Sequence, residues 1–227
     1  MISRFKAAIN KNQMLDFTVR GGILYLIAFI ILENRDTDIY LISTALDNAI
    51  PYCKYFIIPY MFWFVYMGFA FWYFLFRCNN QSEQKKAVYS FFTGMVVFVI
   101  VSLLFPNGHN LRPTDTGNGF FGFCVSLLYK ADTSTNILPS LHVFETVAAS
   151  VALLRQKELR KHRWFAPAVL IITVLITAST MFLKQHSIVD VISALLLNIM
   201  CYIKFYTPVQ IKEEKCTRKK YLQSRIY

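Results

Sequence analysis

Hydrophobic residues fall in six long runs separated by polar segments, and the run lengths suggest what they are. The runs extend approximately over Phe17 to Leu32, Tyr55 to Phe76, Val88 to Phe105, Leu138 to Leu154, Trp164 to Leu183 and Ser187 to Tyr206. A helix that crosses a bilayer needs about 20 mainly apolar residues, within a range of roughly 17–25. All six approach or reach that length. The first is the weakest, because its uninterrupted part is only Gly21 to Leu32 and Arg20 must snorkel to an interface. Glu33-Asn34-Arg35-Asp36 follows it without a small-residue cleavage site, so the segment reads as a retained helix and not a signal peptide.

Two stretches do not span. Met1 to Thr18 places Ile2, Phe5, Ile9 and Leu15 among Lys and Asn, the pattern of an amphipathic helix lying on a membrane surface. Asn107 to Asn136 reads as a loop, punctuated by Gly108, Pro113, Gly117, Gly119 and Gly122, with an apolar patch over Phe120 to Leu128 suited to the interface. The expected fold class is therefore all-α, a six-span transmembrane helical bundle. It comprises an amphipathic segment over residues 1–18, a six-helix membrane domain over 19–206 and a basic tail over 207–227.

Composition agrees: 56% of the chain is hydrophobic and only 16% charged, against roughly 25% charged for an average soluble domain. The net charge of +11 raises the question of a nucleic-acid partner. Its distribution answers no. With the N-terminus inside, six spans leave only Arg35, Lys54, Arg112, Lys130 and Lys184 of the basic residues outside, as the positive-inside rule requires. Both termini are thus expected to be cytoplasmic in a multi-pass protein of the cell membrane. The five cysteines are scattered without a C-x-x-C pair, so neither a disulfide framework nor a zinc site is indicated.

Ionisable residues within or at the ends of membrane helices are costly and therefore informative. Arg112, His142, Lys184, His186 and Asp190 all fall at the same, extracytoplasmic end of the expected bundle. His186 and Asp190 are four apart and share a helix face, so the carboxylate would fix the imidazole tautomer and free its other nitrogen as base or nucleophile. Leu138-Pro139-Ser140-Leu141 looks like a helix start, whose free amides form a phosphate seat beside His142. Arg112 would add bidentate contacts to the anion. Two histidines, a carboxylate, a guanidinium and a helix N-terminus describe metal-free phosphoryl transfer. Glu145 reads as a carboxylate satisfied by a polar neighbour, His109 as a residue near lipid headgroups and His162 as solvated. The aromatic run around Tyr60, Trp63, Tyr66, Trp72 and Tyr73 reads as lipid-facing or interfacial packing.

Arg112-Pro113, Pro139-Ser140-Leu141-His142 and His186-x-x-x-Asp190 together resemble the three-part signature of the type 2 phosphatidic acid phosphatase superfamily. The usual form is K-x6-R-P, P-S-G-H and S-R-x5-H-x3-D. The resemblance covers roughly Tyr55 to Tyr206. It implies that His186 attacks phosphorus and forms a phosphohistidine, oriented by Asp190. His142 would protonate the leaving oxygen, and Arg112 and Ser140 would hold the phosphate, with no metal or other cofactor. Three positions depart: Phe105 stands for the lysine, Thr180 for the second arginine and Leu141 for the glycine. Lys184 is the expected substitute for one missing cation. The P-S-L-H form looks closer to the branch that includes inositol phosphorylceramide synthases. The expected activity is hydrolysis of a lipid phosphate or diphosphate. A phosphotransferase delivering a phospho-headgroup to a lipid alcohol is the first alternative, and a non-catalytic membrane carrier the second.

Overall fold

The computed structural model describes residues 2–207, with side chains from residue 13 onward. Helices make up most of it. The principal helices are α1 (Ile2–Glu33), α2 (Ala45–Ala49), α3 (Ile57–Trp72), α4 (Gln81–Leu104), α5 (Phe120–Ala131), α6 (Leu141–Leu154), α7 (Lys157–Arg160), α8 (Phe165–Phe182) and α9 (Ile188–Tyr206). A 3-10 turn at Lys54–Phe56 leads into α3, and a π-helical turn at Tyr73–Arg77 extends it. Two two-residue strands, β1 (Tyr40–Leu41) and β2 (Asn107–Gly108), pair in parallel with Tyr40 opposite Asn107.

Among the described residues, five helical segments are long and apolar enough to cross a membrane: Gln13–Glu33, Lys54–Arg77, Gln81–Leu104, Phe165–Phe182 and Ile188–Tyr206. Large aliphatic side chains stand exposed on α1, α8 and α9, among them Leu24, Ile31, Val174 and Met200. Such a surface is a liability in water and the natural outer face in lipid. The helix over the remaining expected span is shorter. The 14 residues of α6 rise only about 21 Å. Yet α6 is the centre of the bundle, packed by α3, α4, α8 and α9. Its small residues Ala148, Ala149, Ser150 and Ala152 are buried and allow this close approach. On α4, Gly94 does the same: a Cβ there would meet the Phe144 ring at 2.2 Å.

Despite its length, α6 runs from one end of the bundle to the other. Its start is tied to the segment after α4 by Asn107, whose Oδ1 accepts the amides of Ile137 and Leu138, both at 2.9 Å. At its far end, Arg155 meets Glu83 in the first turn of α4 at 2.9 Å. The Arg155 cation also suits the negative end of the α6 dipole.

Two expectations about the non-spanning stretches change. α1 is one continuous helix, with no break at residues 18–19 between a surface segment and a span. Arg20 pairs with Asp16 at 2.7 Å, so a side-chain contact bridges the expected boundary. Met14 is buried against Leu75, Val88 and Phe92, which docks this part of α1 on the bundle. The expected loop over Asn107–Asn136 contains α5, which packs Val125, with Phe121 and Leu128 beside it, against Ile57, Tyr60 and Leu183. The expected basic tail, apart from Thr207, lies outside the described residues.

Candidate functional site

The site is assembled where the start of α6, the α8–α9 turn and the end of α5 meet. At the α8–α9 turn, Lys184 takes a left-handed conformation (φ 53°) and the Thr180 carbonyl accepts the amides of both Gln185 and His186, at 2.8 and 3.1 Å. Ser187 then caps α9 and forms a capping box with Asp190, whose Oδ2 accepts the Ser187 amide at 2.8 Å. This box satisfies the first amides of α9 and places a carboxylate at the positive end of the helix dipole. His186 Nδ1 lies 3.4 Å from that same Oδ2, longer than a good hydrogen bond, and has no hydrogen-bond partner among the described residues. Asp190 is fully buried, and its Oδ1 has no partner among the described residues.

Helix α6 begins beside this turn. The Ser140 amide donates to the Asp190 carbonyl at 3.2 Å, so the two helix starts are joined through their backbones. The side chain of Ser140 caps α6 by accepting from Val143. His142, the second residue of α6, is thereby set opposite His186, with ring centres 5.8 Å apart. Both imidazoles line a cavity of about 630 Å³. Apolar side chains of four helices form much of its wall, including Leu26 and Phe29 of α1, Phe64 of α3, Phe98 of α4 and Leu127 of α5. Its polar end carries Asp132, Thr133 and Gln185.

The structure thus brings His142, His186 and Asp190 together, but distributes the expected phosphate-binding residues differently. Lys184 is turned away from the cavity: its ammonium binds the carbonyls of Asp47 and Ile50 at the end of α2. Burial lowers its pKa, with Asp47 opposing that shift. After the left-handed Lys184, the side chains of Gln185 and His186 both line the cavity. Ser140 is buried as a helix cap and does not line the cavity.

Arg112 sits behind the cavity wall. Its Nη1 donates to the carbonyl of Tyr129 at 3.2 Å, and its Nη2 to the carbonyls of Asp132 and Thr133 at 2.8 and 2.7 Å and to Gln185 Oε1. The guanidinium lies 4.5 Å over the Tyr129 ring. This is a cation capping the carbonyl end of α5, not one reaching for a free anion. Burial lowers the guanidinium's pKa, and the neighbouring Asp132 opposes that. At the two positions where this chain lacks a cation of the resembled signature, neither side chain lines the cavity. Phe105 is partly exposed and stacks on Tyr40 at 4.9 Å, and the hydroxyl of buried Thr180 donates to the Thr177 carbonyl.

Several residues of the site were not expected. Tyr60 and Trp63 are not lipid-facing: their rings lie 4.7 and 4.5 Å from that of His142, and the Tyr60 hydroxyl donates to Asp132 at 2.8 Å. Tyr66 reaches inward to Ser150. Glu33 accepts from the hydroxyl of Thr133 and the amide side chain of Asn136, fixing the strand that enters α6. His109 is a strut and not a headgroup contact. Its Nδ1 accepts from the Leu111 amide at 3.2 Å, which leaves Nε2–H to donate to the Gln185 carbonyl at 2.9 Å. Burial lowers its pKa, in keeping with this neutral tautomer. Glu145 has no hydrogen-bond partner on either oxygen among the described residues, against the expectation of a satisfied carboxylate. His162 is exposed between α7 and α8, as expected.

The only pattern-level signal for Tyr60 and Trp63 was their place in an aromatic run, which does not separate lipid-facing rings from inward ones. No family model, no curated protein and no solved structure matches this chain.

Proposed function

We propose that the chain is an integral membrane lipid phosphatase that transfers a phosphoryl group to water through a phosphohistidine on His186. The observation that carries this reading is the pair of imidazoles facing one another at 5.8 Å across a cavity with apolar walls. Rings this close can contact the same phosphoryl group, one as nucleophile toward phosphorus and the other as acid toward the leaving oxygen. The apolar walls offer a berth for a lipid chain, and the polar end receives the phosphate.

In the first step His186 Nε2 forms a bond to phosphorus as the bond to the lipid oxygen breaks, and protonated His142 delivers its proton to that oxygen. In the second step neutral His142 takes a proton from water, whose oxygen attacks phosphorus and releases His186 and phosphate. Asp190, beside Nδ1, holds the tautomer that presents Nε2 and stabilises the positive charge on the ring. The amides of Leu141 and His142, the first two of α6, have no acceptor among the described residues and face the developing oxyanion charge as donors. None of these steps uses a metal.

The same reading takes α6 as a sixth, lipid-shielded crossing. It places both termini in the cytoplasm, so the site opens on the extracytoplasmic face. The charge distribution of the loops supports this orientation.

The test is turnover of phosphatidic acid and polyprenyl diphosphate by the purified chain in detergent with EDTA present. The expected result is release of inorganic phosphate by the native chain and a loss of roughly 10³-fold or more in His186→Ala. Unchanged turnover in the variant would remove the covalent mechanism. Appearance of label in an added lipid alcohol, in place of free phosphate, would assign a phosphotransferase.

A further inference from the structure

We infer that Gln185 is a phosphate-binding residue, its side-chain Nε2–H2 donating to a non-bridging oxygen of the phosphoryl group between His142 and His186. The inference rests on the phosphoryl-transfer reading and names a contact which that reading lacks. The two cations expected from the sequence to hold the anion do not reach the cavity: Lys184 binds carbonyls of α2 and Arg112 binds carbonyls at and just after the end of α5, while Thr180 stands where the resembled signature has its second arginine. An anion in the cavity needs another donor.

Gln185 supplies one. It is only 2% exposed, lines the same cavity as both histidines, and adjoins His186 in the chain. Its Nε2 has no acceptor among the described residues. The orientation of its carboxamide is settled by chemistry. Arg112 carries only donors, so the atom facing its Nη2 must be Oε1, and the free end is the N–H2 group. A buried donor left without an acceptor is costly, and a ligand oxygen removes that cost.

The contact with Arg112 also tunes the group. A guanidinium donating to Oε1 polarises the carboxamide and strengthens donation from Nε2. The positive charge of Arg112 is thereby felt at the phosphate without a direct contact. The backbone of Gln185 is held at both its amide and its carbonyl. The Thr180 carbonyl fixes the Gln185 amide, and His109 Nε2 takes the Gln185 carbonyl.

The test uses the full chain in detergent and inorganic phosphate as probe, read by calorimetric titration, alongside turnover of a lipid phosphate. Gln185→Glu keeps an oxygen for Arg112 but has no N–H to offer. Its expected thermal midpoint matches or exceeds that of the native chain. Its phosphate affinity is expected to fall at least tenfold, and kcat/KM by about 10²–10³-fold, the usual loss for one oxyanion donor. A purely structural Gln185 would be rescued by Glu, so phosphate affinity within threefold of native in this variant overturns the inference. Absence of any phosphate binding by the native chain overturns it as well.

A second measurement needs no variant. The Gln185 side-chain N–H2 resonances of the native protein, labelled with nitrogen-15, are expected to move on adding phosphate, and fixed resonances count against the contact. If His186→Ala abolishes turnover while Gln185→Glu binds phosphate normally, the inference fails and the phosphatase reading stands. If no lipid phosphate is turned over yet Gln185→Glu loses phosphate, the site binds the anion and the phosphatase reading fails.

Discussion

An Arg112→Ala chain is expected to melt on the order of 10 °C below the native one in the same detergent, with catalytic loss following from misplacement of Gln185. The guanidinium serves four oxygens: the carbonyls of Tyr129, Asp132 and Thr133, and Gln185 Oε1. Its removal leaves the end of α5, the strand before α6 and the α8–α9 turn without their common donor. Charge-assisted hydrogen bonds contribute more than neutral ones, and water entering the gap returns part of the loss. A net cost of about 3 kcal/mol follows for the group. For a chain of this size each kcal/mol shifts the midpoint by roughly 2–4 °C. Arg112→Lys is expected to recover little, because an ammonium cannot fan out to carbonyls on one side and a carboxamide on the other. Thermal scans of the three proteins check this. A phosphate-binding Arg112 without a structural role would instead leave the midpoint unchanged and raise KM.

The Asp190→Asn variant is expected to separate catalysis from folding most sharply. The asparagine oxygen still accepts the Ser187 amide, so the α9 cap survives and the midpoint stays within a few degrees. That same oxygen lies beside His186 Nδ1, so the contact keeps its geometry while the negative charge next to the ring is lost. The positive charge that develops on the imidazole as it attacks phosphorus then has no carboxylate to stabilise it. A fall in kcat of up to about 10⁴-fold is expected when the carboxylate becomes an amide. Steady-state kinetics with a circular-dichroism melt on the same sample decide the matter. Native kcat in a folded Asp190→Asn protein would mean that Asp190 serves α9 alone.

What the sequence made legible was local. His186 and Asp190 are four apart and do meet at 3.4 Å, although His186 lies in the turn before the Ser187 cap and not on the shared helix face the spacing suggested. Pro139-Ser140 announced the start of α6, and the long apolar runs marked the five described helices long enough to cross a membrane. What stayed hidden depends on pairings between distant segments. Lys184 looked like an available cation until a left-handed residue turned it toward α2. Arg112 looked like a phosphate ligand because its carbonyl partners lie 17 to 21 residues away and leave no mark in the sequence. Tyr60 and Trp63 sat within an almost uniformly apolar helix, where no period distinguishes the ring against His142 from the ring against lipid. Helix α5 was masked by the glycines before and within it.

The central claim is that His142 and His186 act on one phosphorus atom. Rapid acid or alkaline quench of the chain turning over a lipid phosphate labelled at phosphorus, followed by peptide mapping, tests it most directly. The account predicts a label on His186 that is stable in alkali, labile in acid and absent from His186→Ala. The predicted label also forms slowly in His142→Ala, where the leaving oxygen has lost its proton donor. Turnover without protein-bound label, or a label on any other residue, would contradict it.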